Sequence, residues 1–506
     1  MEKHFNKINF KDLLKLLLPL LLATFSFFFI SINIPYFFGL DPWFHLSMIK
    51  EIINTGTFSI TIPLDPTYPN VIPPLFHIFS ANLSILINIL PETIIRYIPL
   101  LLGLLIIAFV FIIARQLFDI EVAFLSAILT SLIPTTILSG GALLARPQLM
   151  GELFLLVLIW ILYIYKDDFS VYSIFLISLI LLSLPLMHSF SGFVLLPIIM
   201  ISFLLTIEKN YKLKKFIILL ITILFAIVSY YLSIFLKWGL PKTENTYAIL
   251  SEVIAPSLSF NDFYSFFGII FAALSLLSII LLPFIRGKEN KKTRNFVLIW
   301  FFSLVLLLFL GKIGLLSILP KRLFYESIFP LILIISLFIS YLYSITSKRI
   351  LTIFLIFLIT IQLVQVITFN PVNDNLSESE YSSFQHISLF IDKEEFVATD
   401  SWSCYYLSAI SDRKCYYLTG FYSKTYDREK ILVDLFNNHL NQSEITFNKL
   451  LIFKPLTFIW INIKHYKLNG NYLSEKEIYS NLEKLEKEGK FKKIYEDNNL
   501  ILYNTK

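Results

Sequence analysis

Long apolar runs separated by short polar connections fill the first 368 residues, and this pattern predicts a bundle of membrane-spanning helices. A bilayer requires about 20 apolar residues for each span, and we count about eleven such runs, or up to about 13 where short runs are ambiguous. The runs are 12–35, 93–116, 121–138, 149–165, 171–187, 192–207, 216–236, 264–285, 295–311, 323–345 and 350–368.

One further apolar stretch, residues 71–90, is long enough to span but contains Pro73, Pro74 and His77. We expect it to form a helix that lies on the membrane surface, after a long first loop. A short polar helix is expected earlier in that loop, from His45 to Ile53.

The pattern changes near Phe369. Short β-branched and aromatic runs predict strands at 396–399 and 414–418, and residues 491–495 with 500–503 predict a closing hairpin. A helix is expected at 402–410, and Ser474 with Glu477 forms a capping box before a charged helix that ends at Glu488. The predicted fold is therefore an α-helical polytopic membrane domain, residues 1–368, followed by a small soluble α/β domain, residues 369–506.

Composition supports this division. The chain is 56% hydrophobic, and its mean hydropathy is +0.73. Residues 1–368 hold 25 Lys/Arg and 17 Asp/Glu, while residues 369–506 hold 17 and 19. These counts are about 11% and about 26% charged, and the second is the ordinary value for soluble domains. The chain has no basic patch of the kind that nucleic acid requires, so we expect no nucleic-acid partner.

Charge in the loops predicts the orientation. Loops on one side, including the amino terminus, hold 17 Lys/Arg and those on the other side hold eight, so the richer side is predicted to be cytoplasmic. The soluble domain then lies outside the cell, and the protein is an integral protein of the cell membrane. The first apolar run is too long for a signal peptide. Cys404 and Cys415 form one disulfide if the tail faces an oxidising side, or are two free thiols.

The candidate chemistry begins at Asp41, in Gly39-Leu40-Asp41-Pro42-Trp43-Phe44-His45, directly after the first span. Ionisable residues at the membrane edge are costly and often functional. The alternative is that Asp41 only caps the polar helix that follows.

Other ionisable residues gather at the same predicted outer rim. Arg146 is a candidate phosphate ligand, with helix anchoring as its alternative, and Glu152 lies one turn inside the next span, where a polar packing contact is the alternative. His188 is expected to cap the end of a span. Glu252 lies in an apolar loop, and Lys321 with Arg322 opens a late span, where they either grip an anionic lipid headgroup or anchor the helix. His45 completes the set of candidate residues.

Asp41-Pro42-Trp43-Phe44-His45 after the first span resembles the first-loop motif of the GT-C glycosyltransferases, and most closely the catalytic subunit of oligosaccharyltransferase. Ile249-Leu250-Ser251-Glu252 is similar to that family's Ser-Val-Ser-Glu loop, and Arg322 opens a late span as the family's lipid-pyrophosphate arginine does. Tyr405 to Arg413 resembles the stretch after its Trp-Trp-Asp-Tyr-Gly signature.

The resemblance implies that a sugar passes, with inversion, from a polyprenyl (dolichyl-type) phosphate or pyrophosphate carrier to an acceptor on the outer face. Asp41 and Glu152 would bind Mn²⁺ or Mg²⁺, Glu252 would orient the acceptor, and Arg322 would hold the donor phosphates.

Two departures from the family leave alternatives open. Arg146-Pro147-Gln148 stands where the family has an acidic pair, and Asp400-Ser401-Trp402-Ser403-Cys404 stands where Trp-Trp-Asp-Tyr-Gly is expected. A metal-independent enzyme that uses Asp41 as a general base toward a glycolipid, a polysaccharide or a protein Ser/Thr hydroxyl explains both departures. The alternatives from other classes are a transporter or flippase, and a non-catalytic membrane scaffold.

Overall fold

The structure is a computed structural model, and its description covers the following residues: 10–31, 36–37, 41–59, 61–62, 65–70, 72–132, 146–165, 170–206, 271, 273–281, 291–312, 323, 326–346, 376–392, 396–398, 401–416, 458–462, 492–496 and 500–504, with scattered single residues in 221–236, 349–364 and 483–489.

Helices dominate the described residues up to Ile345, as the apolar runs predict. Their bounds are α1 Phe10–Ser31, α2 Asp41–Thr55, α3 Leu75–Ile87, α4 Pro91–Leu117, α5 Ile120–Leu132, α6 Pro147–Ile164, α7 Val171–Met187, α8 Leu196–Thr206, α9 Lys291–Lys312 and α10 Ile328–Ile345. Five helices in the described part are long and apolar enough to cross a membrane, namely α1, α4, α6, α9 and α10. The predicted membrane bundle is thus confirmed for the part of the chain that the structure describes.

The first loop carries two short helices and a small hairpin. Strands β1, Thr61–Ile62, and β2, Asp65–Pro69, pair antiparallel between α2 and α3. Helix α3 has 13 residues, so at about 1.5 Å per residue it is too short to cross a bilayer. It ends at Asn88, whose left-handed conformation (φ 52°) turns the chain into α4. The predicted helix at 71–90 is therefore present but shorter.

Close packing of α6 and α7 against the π-helical turn that follows α7 depends on two glycines. A π-helical turn, Ser191–Leu195, joins α7 to α8. A β-carbon on Gly151 would approach Ser191 Oγ to 2.7 Å, and one on Gly192 would approach the Pro185 backbone to 2.6 Å. Both distances are shorter than van der Waals contact. Side chains are excluded at these two positions, and the helices approach closely where α6 begins.

The described residues of the tail form helices and a mixed β-sheet, while the predicted division into two domains stays a prediction. The elements of the tail are α11 Glu378–Ile387, β3 Phe396–Ala398, α12 Ser401–Ser411, β4 Lys414–Tyr416, β5 Phe458–Asn462, β6 Lys492–Glu496 and β7 Leu500–Asn504. The five strands form one mixed sheet in the order β4-β3-β5-β7-β6, and β6 and β7 are the predicted hairpin. The predicted capping box at Ser474 lies outside the described residues, whereas one that sequence analysis missed, Ser377 with Glu380, starts α11.

The tail packs against helix α2 and the residues just before it. Tyr381 of α11 stacks on Tyr36 with ring centroids 4.3 Å apart, and Tyr406 of α12 meets Trp43 edge-on at 5.6 Å. Lys50 of α2 donates to the Ala409 carbonyl oxygen at 2.7 Å. Aromatic pairs of this kind contribute about 0.5–1.5 kcal/mol each beyond the area that they bury. The tail therefore packs on the helix that begins with Asp41.

Candidate functional site

Asp41 is the first residue of α2, which begins four residues before the predicted helix start at His45. The amino end of a helix favours an anion, because its backbone N–H groups are unpaired and the helix dipole is positive there. The Asp41 side chain is 48% exposed, whereas Trp43, Phe44 and Leu46 behind it are buried. The carboxylate therefore stands at the open end of a helix whose body is fixed by packing.

Arg146 faces Asp41 from the beginning of another helix. It is the N-cap of α6, and its extended backbone (φ −127°, ψ 142°) precedes Pro147. Its Nε lies 2.6 Å from Asp41 Oδ2, and its side chain is 35% exposed. The contact is a close ion pair rather than an aligned hydrogen bond, since Nε has no partner with hydrogen-bonding angles. The fold thus joins two of the predicted site residues, one from each of two segments distant in sequence.

His45 lies one helical turn after Asp41 and forms a buried pair with His77 of α3. His45 Nδ1 and His77 Nε2 are 2.9 Å apart, and the two residues are 6% and 0% exposed. Burial, followed by the positive charge of Arg146, lowers the pKa of His45 to about 3. Burial also lowers the pKa of His77. Both rings are therefore neutral at physiological pH. Sequence analysis used His77 only as an interruption of an apolar run.

Glu152 lies farther along α6 in a different cluster. The Gln148 amide donates to Glu152 Oε1 at 2.9 Å and to Glu326 Oε1 at 3.2 Å. Both glutamates line a small cavity of about 10 Å³, which is about one water molecule in size. Sequence analysis missed Gln148 and Glu326 as partners, although a lone acid at the start of a long apolar run was a visible signal for Glu326.

His188 is the C-cap of α7, which is the position predicted for it. Its Nδ1 lies 2.8 Å from Ser191 Oγ, at the π-helical turn before α8. This geometry fits the structural reading, in which His188 closes a helix end. Three other predicted site residues, Glu252, Lys321 and Arg322, lie outside the described residues, so their roles stay predictions.

The residues at Asp41 do not fit the divalent metal centre that the family resemblance implies. A hard cation needs several oxygen ligands, whereas the Asp41 carboxylate is already paired with a guanidinium. Glu152, the predicted second ligand, is engaged by Gln148. In the part of the chain that the structure describes, no three His, Cys, Asp or Glu side chains cluster as metal ligands would.

Comparison with protein families gives a match over part of the chain. Residues 72–235 match the family described as dolichyl-phosphate-mannose-protein mannosyltransferase. This region includes His77, Arg146, Glu152 and His188 but begins after Asp41. No curated protein sequence matches the chain.

Three solved structures illustrate the similarity in fold. The archaeal oligosaccharyltransferase AglB from Archaeoglobus fulgidus, in complex with an inhibitory peptide and a dolichol-phosphate, matches with a TM-score of 0.67 and 11% identity, over 90% of this chain and 70% of its own. ArnT from Cupriavidus metallidurans, bound to undecaprenyl phosphate, matches with a TM-score of 0.57 and 11% identity, over 98% of each chain.

The arabinofuranosyltransferase AftD from Mycobacteria matches with a TM-score of 0.60 and 13% identity, over 98% of this chain and 40% of its own. At these identities the likeness shows the fold, and the family match covers residues 72–235 only. The chain therefore has the fold that its resemblance to the GT-C glycosyltransferases predicts.

Proposed function

We propose that the protein transfers a sugar from a polyprenyl phosphate carrier to a hydroxyl group of an acceptor on the outer face of the cell membrane. Asp41 is the general base and Arg146 binds the donor phosphate. The observation that carries this proposal is the ion pair between Arg146 Nε and Asp41 Oδ2 at 2.6 Å. It brings one proton acceptor and one phosphate-binding cation to the same point, and inverting transfer from a lipid phosphate requires both.

The step is a single displacement at the anomeric carbon. The acceptor oxygen forms a bond to that carbon while the bond from the carbon to the phosphate oxygen breaks. The hydroxyl proton goes to the Asp41 carboxylate, and the electron pair of the broken bond leaves with the polyprenyl phosphate. Arg146 stabilises the negative charge that grows on this leaving group, because a guanidinium matches phosphate oxygens with two parallel N–H groups. No metal ion takes part in these steps.

Charge supports the choice of a monophosphate donor. Arg146 supplies one positive charge where the oligosaccharyltransferase pattern has an acidic pair for a metal. A lipid monophosphate leaving group carries less charge than a pyrophosphate and has less need of a divalent cation. The lipids bound to the structural neighbours, a dolichol-phosphate in AglB and undecaprenyl phosphate in ArnT, also support a polyprenyl carrier.

A second candidate function is oligosaccharyltransferase activity, in which an oligosaccharide moves from a polyprenyl pyrophosphate to a protein Asn. The TM-score of 0.67 with AglB favours it. In this version Glu252 orients the acceptor, and Lys321 and Arg322 add positive charge for the second phosphate. Mn²⁺ or Mg²⁺ would act as a Lewis acid toward the leaving group. The ion pair of Asp41 with Arg146 does not favour a metal at this carboxylate.

Donor and metal dependence separate the two functions. Purified protein is incubated with polyprenyl-phosphate sugars and with polyprenyl-pyrophosphate sugars, each with Mn²⁺ and with a chelator, and sugar transfer is measured. We expect transfer from the monophosphate donors at the same rate in both conditions. Transfer only from pyrophosphate donors, and only with Mn²⁺, would establish the second function. If neither donor loses its sugar while the protein is folded, both proposals are wrong.

A further inference from the structure

Gln148 lies two residues after Arg146, and the transfer step described above does not use it. Its side-chain amide donates to Glu152 Oε1 at 2.9 Å and to Glu326 Oε1 at 3.2 Å. The first bond lies within α6, because residues four apart share one face of a helix. The second bond joins segments that are 178 residues apart in the sequence, since Glu326 lies just before α10. Gln148 is therefore a bridge between α6 and the start of α10.

The surroundings of this bridge are mostly apolar. Glu326 is 3% exposed, and the small cavity that it lines with Glu152 is bordered largely by side chains such as Leu156, Ile159 and Phe329. A buried polar group that loses its hydrogen-bond partner destabilises the arrangement around it. The Gln148 amide supplies a donor to both glutamates at once, so its loss disturbs both helices that they belong to.

The first turn of α6 carries both Arg146 and Gln148. Arg146 is the N-cap, and its carbonyl oxygen accepts from the Leu149 N–H group at 3.2 Å, so its backbone is part of that turn. Gln148 is the second residue of the helix. Farther along, Gly151 packs so closely on the π-helical turn after α7 that a β-carbon there would approach Ser191 Oγ to 2.7 Å. The beginning of α6 is thus held by this packing and by the bridge to the start of α10.

We propose that Gln148 is a positioning residue of the transfer reaction: the bridge from its amide to Glu326 fixes the first turn of α6 against α10, and so holds Arg146 beside Asp41, where its guanidinium meets the donor phosphate. The ion pair with Asp41 does not hold Arg146 by itself, because both side chains are partly exposed and water weakens such pairs. The inference rests on the proposed function for the role of Arg146, whereas the link between α6 and α10 does not.

Single substitutions at both ends of the bridge test this role. Gln148→Met has a side chain of similar length without N–H groups, and Glu326→Leu removes the acceptor. Because small displacements of a positioned group reduce catalysis strongly, we expect each variant to raise the donor KM and to lower kcat/KM for the donor about tenfold, with the acceptor KM unchanged. Glu326→Gln keeps an acceptor oxygen and should stay within about threefold of wild type. Gln148→Asn, whose amide is one methylene too short for the bridge, gives the same test if Gln148→Met does not fold.

The double variant, Gln148→Met with Glu326→Leu, tests whether the two residues act through one bond. If they do, its donor KM should equal that of the single variants, because the effects of residues in contact are not additive. Independent effects would multiply to about 100-fold. That result, or a wild-type donor KM in Gln148→Met, would overturn the proposal.

A packing variant of the same cavity is the matched control. Ile159 lines the cavity and is buried, and Ile159→Val removes one methyl group from it. We expect Ile159→Val to lower the Tm and to leave the donor KM unchanged. If Gln148→Met likewise lowers only the Tm, or raises the donor and acceptor KM equally, the bridge merely stabilises the helix bundle and the proposal is wrong.

A binding measurement is independent of sugar transfer. Undecaprenyl phosphate without a sugar is titrated into the purified full chain in detergent, and it should bind Gln148→Met about tenfold more weakly than wild type. A wild-type protein that shows this difference in binding but transfers sugar from neither donor would refute the proposed function and leave the role of Gln148 intact. Transfer by the wild type, together with equal lipid binding and equal donor KM in Gln148→Met, would refute the role of Gln148 alone.

Discussion

At the scale of single residues, two Asp–Arg ion pairs in this chain differ in how far they are exposed to water. This difference determines how much each pair contributes to stability. Asp41 and Arg146 are 48% and 35% exposed, while Asp12 of α1 and Arg115 of α4, 2.7 Å apart, are 9% and 14% exposed. Exposed ion pairs contribute about 0–1 kcal/mol to stability, because water screens them. Breaking a buried pair costs about 3–5 kcal/mol, because the remaining charge is left without a partner.

We therefore expect Asp41→Asn to lower kcat for sugar transfer by at least about 100-fold, the usual range for loss of a general base, with little change in thermal stability. Asp12→Asn is the matched control, and it should lower the Tm while the folded fraction keeps its activity. Activity and Tm measured on the same detergent preparations test both. An active Asp41→Asn enzyme would contradict the assignment of the base.

At the scale of elements, the important contact is the one between α12 and α2. A disulfide between Cys404 and Cys415 ties α12 to β4, which resolves the alternative that sequence analysis left open. Trp43 and Phe44 of α2 pack against the rings of Tyr406 and Tyr405 on α12. The disulfide therefore holds α12 in place, and α12 in turn supports α2, the helix that carries Asp41.

Replacing both cysteines with serine should destabilise α12 by about 2–3 kcal/mol, the amount expected for a short disulfide loop. Hydrogen exchange of residues 401–416 should rise in the variant, and sugar transfer should fall because α2 loses a fixed support. Lys50→Met is the control, since it removes the bond to the Ala409 carbonyl and the ion pair with Glu92 but keeps the disulfide. Unchanged hydrogen exchange in the double serine variant would mean that the disulfide does not stabilise α12.

At the scale of the whole molecule, the proposed reaction requires Asp41, Arg146 and the tail to share one side of the membrane. The contacts of α11 and α12 with α2 support this arrangement, and an oxidising outer side suits the disulfide. The amino end of α1 belongs to the predicted cytoplasmic side. Phe10 at that end is 74% exposed, and Leu389 in the tail is 75% exposed, so both positions suit labelling.

We predict that a membrane-impermeant maleimide added to intact cells labels Leu389→Cys but not Phe10→Cys, and that permeabilised cells label both. Asn54→Cys, near the exposed end of α2, should be labelled in intact cells, as Leu389→Cys is. Label at Phe10→Cys in intact cells would reverse the orientation. Different behaviour of Asn54→Cys and Leu389→Cys would contradict the contact between α2 and the tail.

The sequence by itself determined most of the elements that the structure describes. A span needs only an apolar run as long as the bilayer is thick, and a strand or hairpin needs only local alternation and turn residues, so α1, α4, α6, α9, α10 and the β6–β7 hairpin were predictable. Asp41 was recognisable because a carboxylate directly after a span is costly. Strand β5 and helix α11 were not predicted, and no local signal was used for them.

Only the tertiary structure decided the partners of each side chain. Arg146 was predicted as a phosphate ligand but not as the partner of Asp41, and neither the His45–His77 pair nor the amide of Gln148 between two glutamates was foreseen. These contacts join helices that are distant in sequence. The apolar pattern fixes how long a helix is, but the pairing of its polar residues depends on its rotation and its neighbours, which the packing of the whole bundle sets.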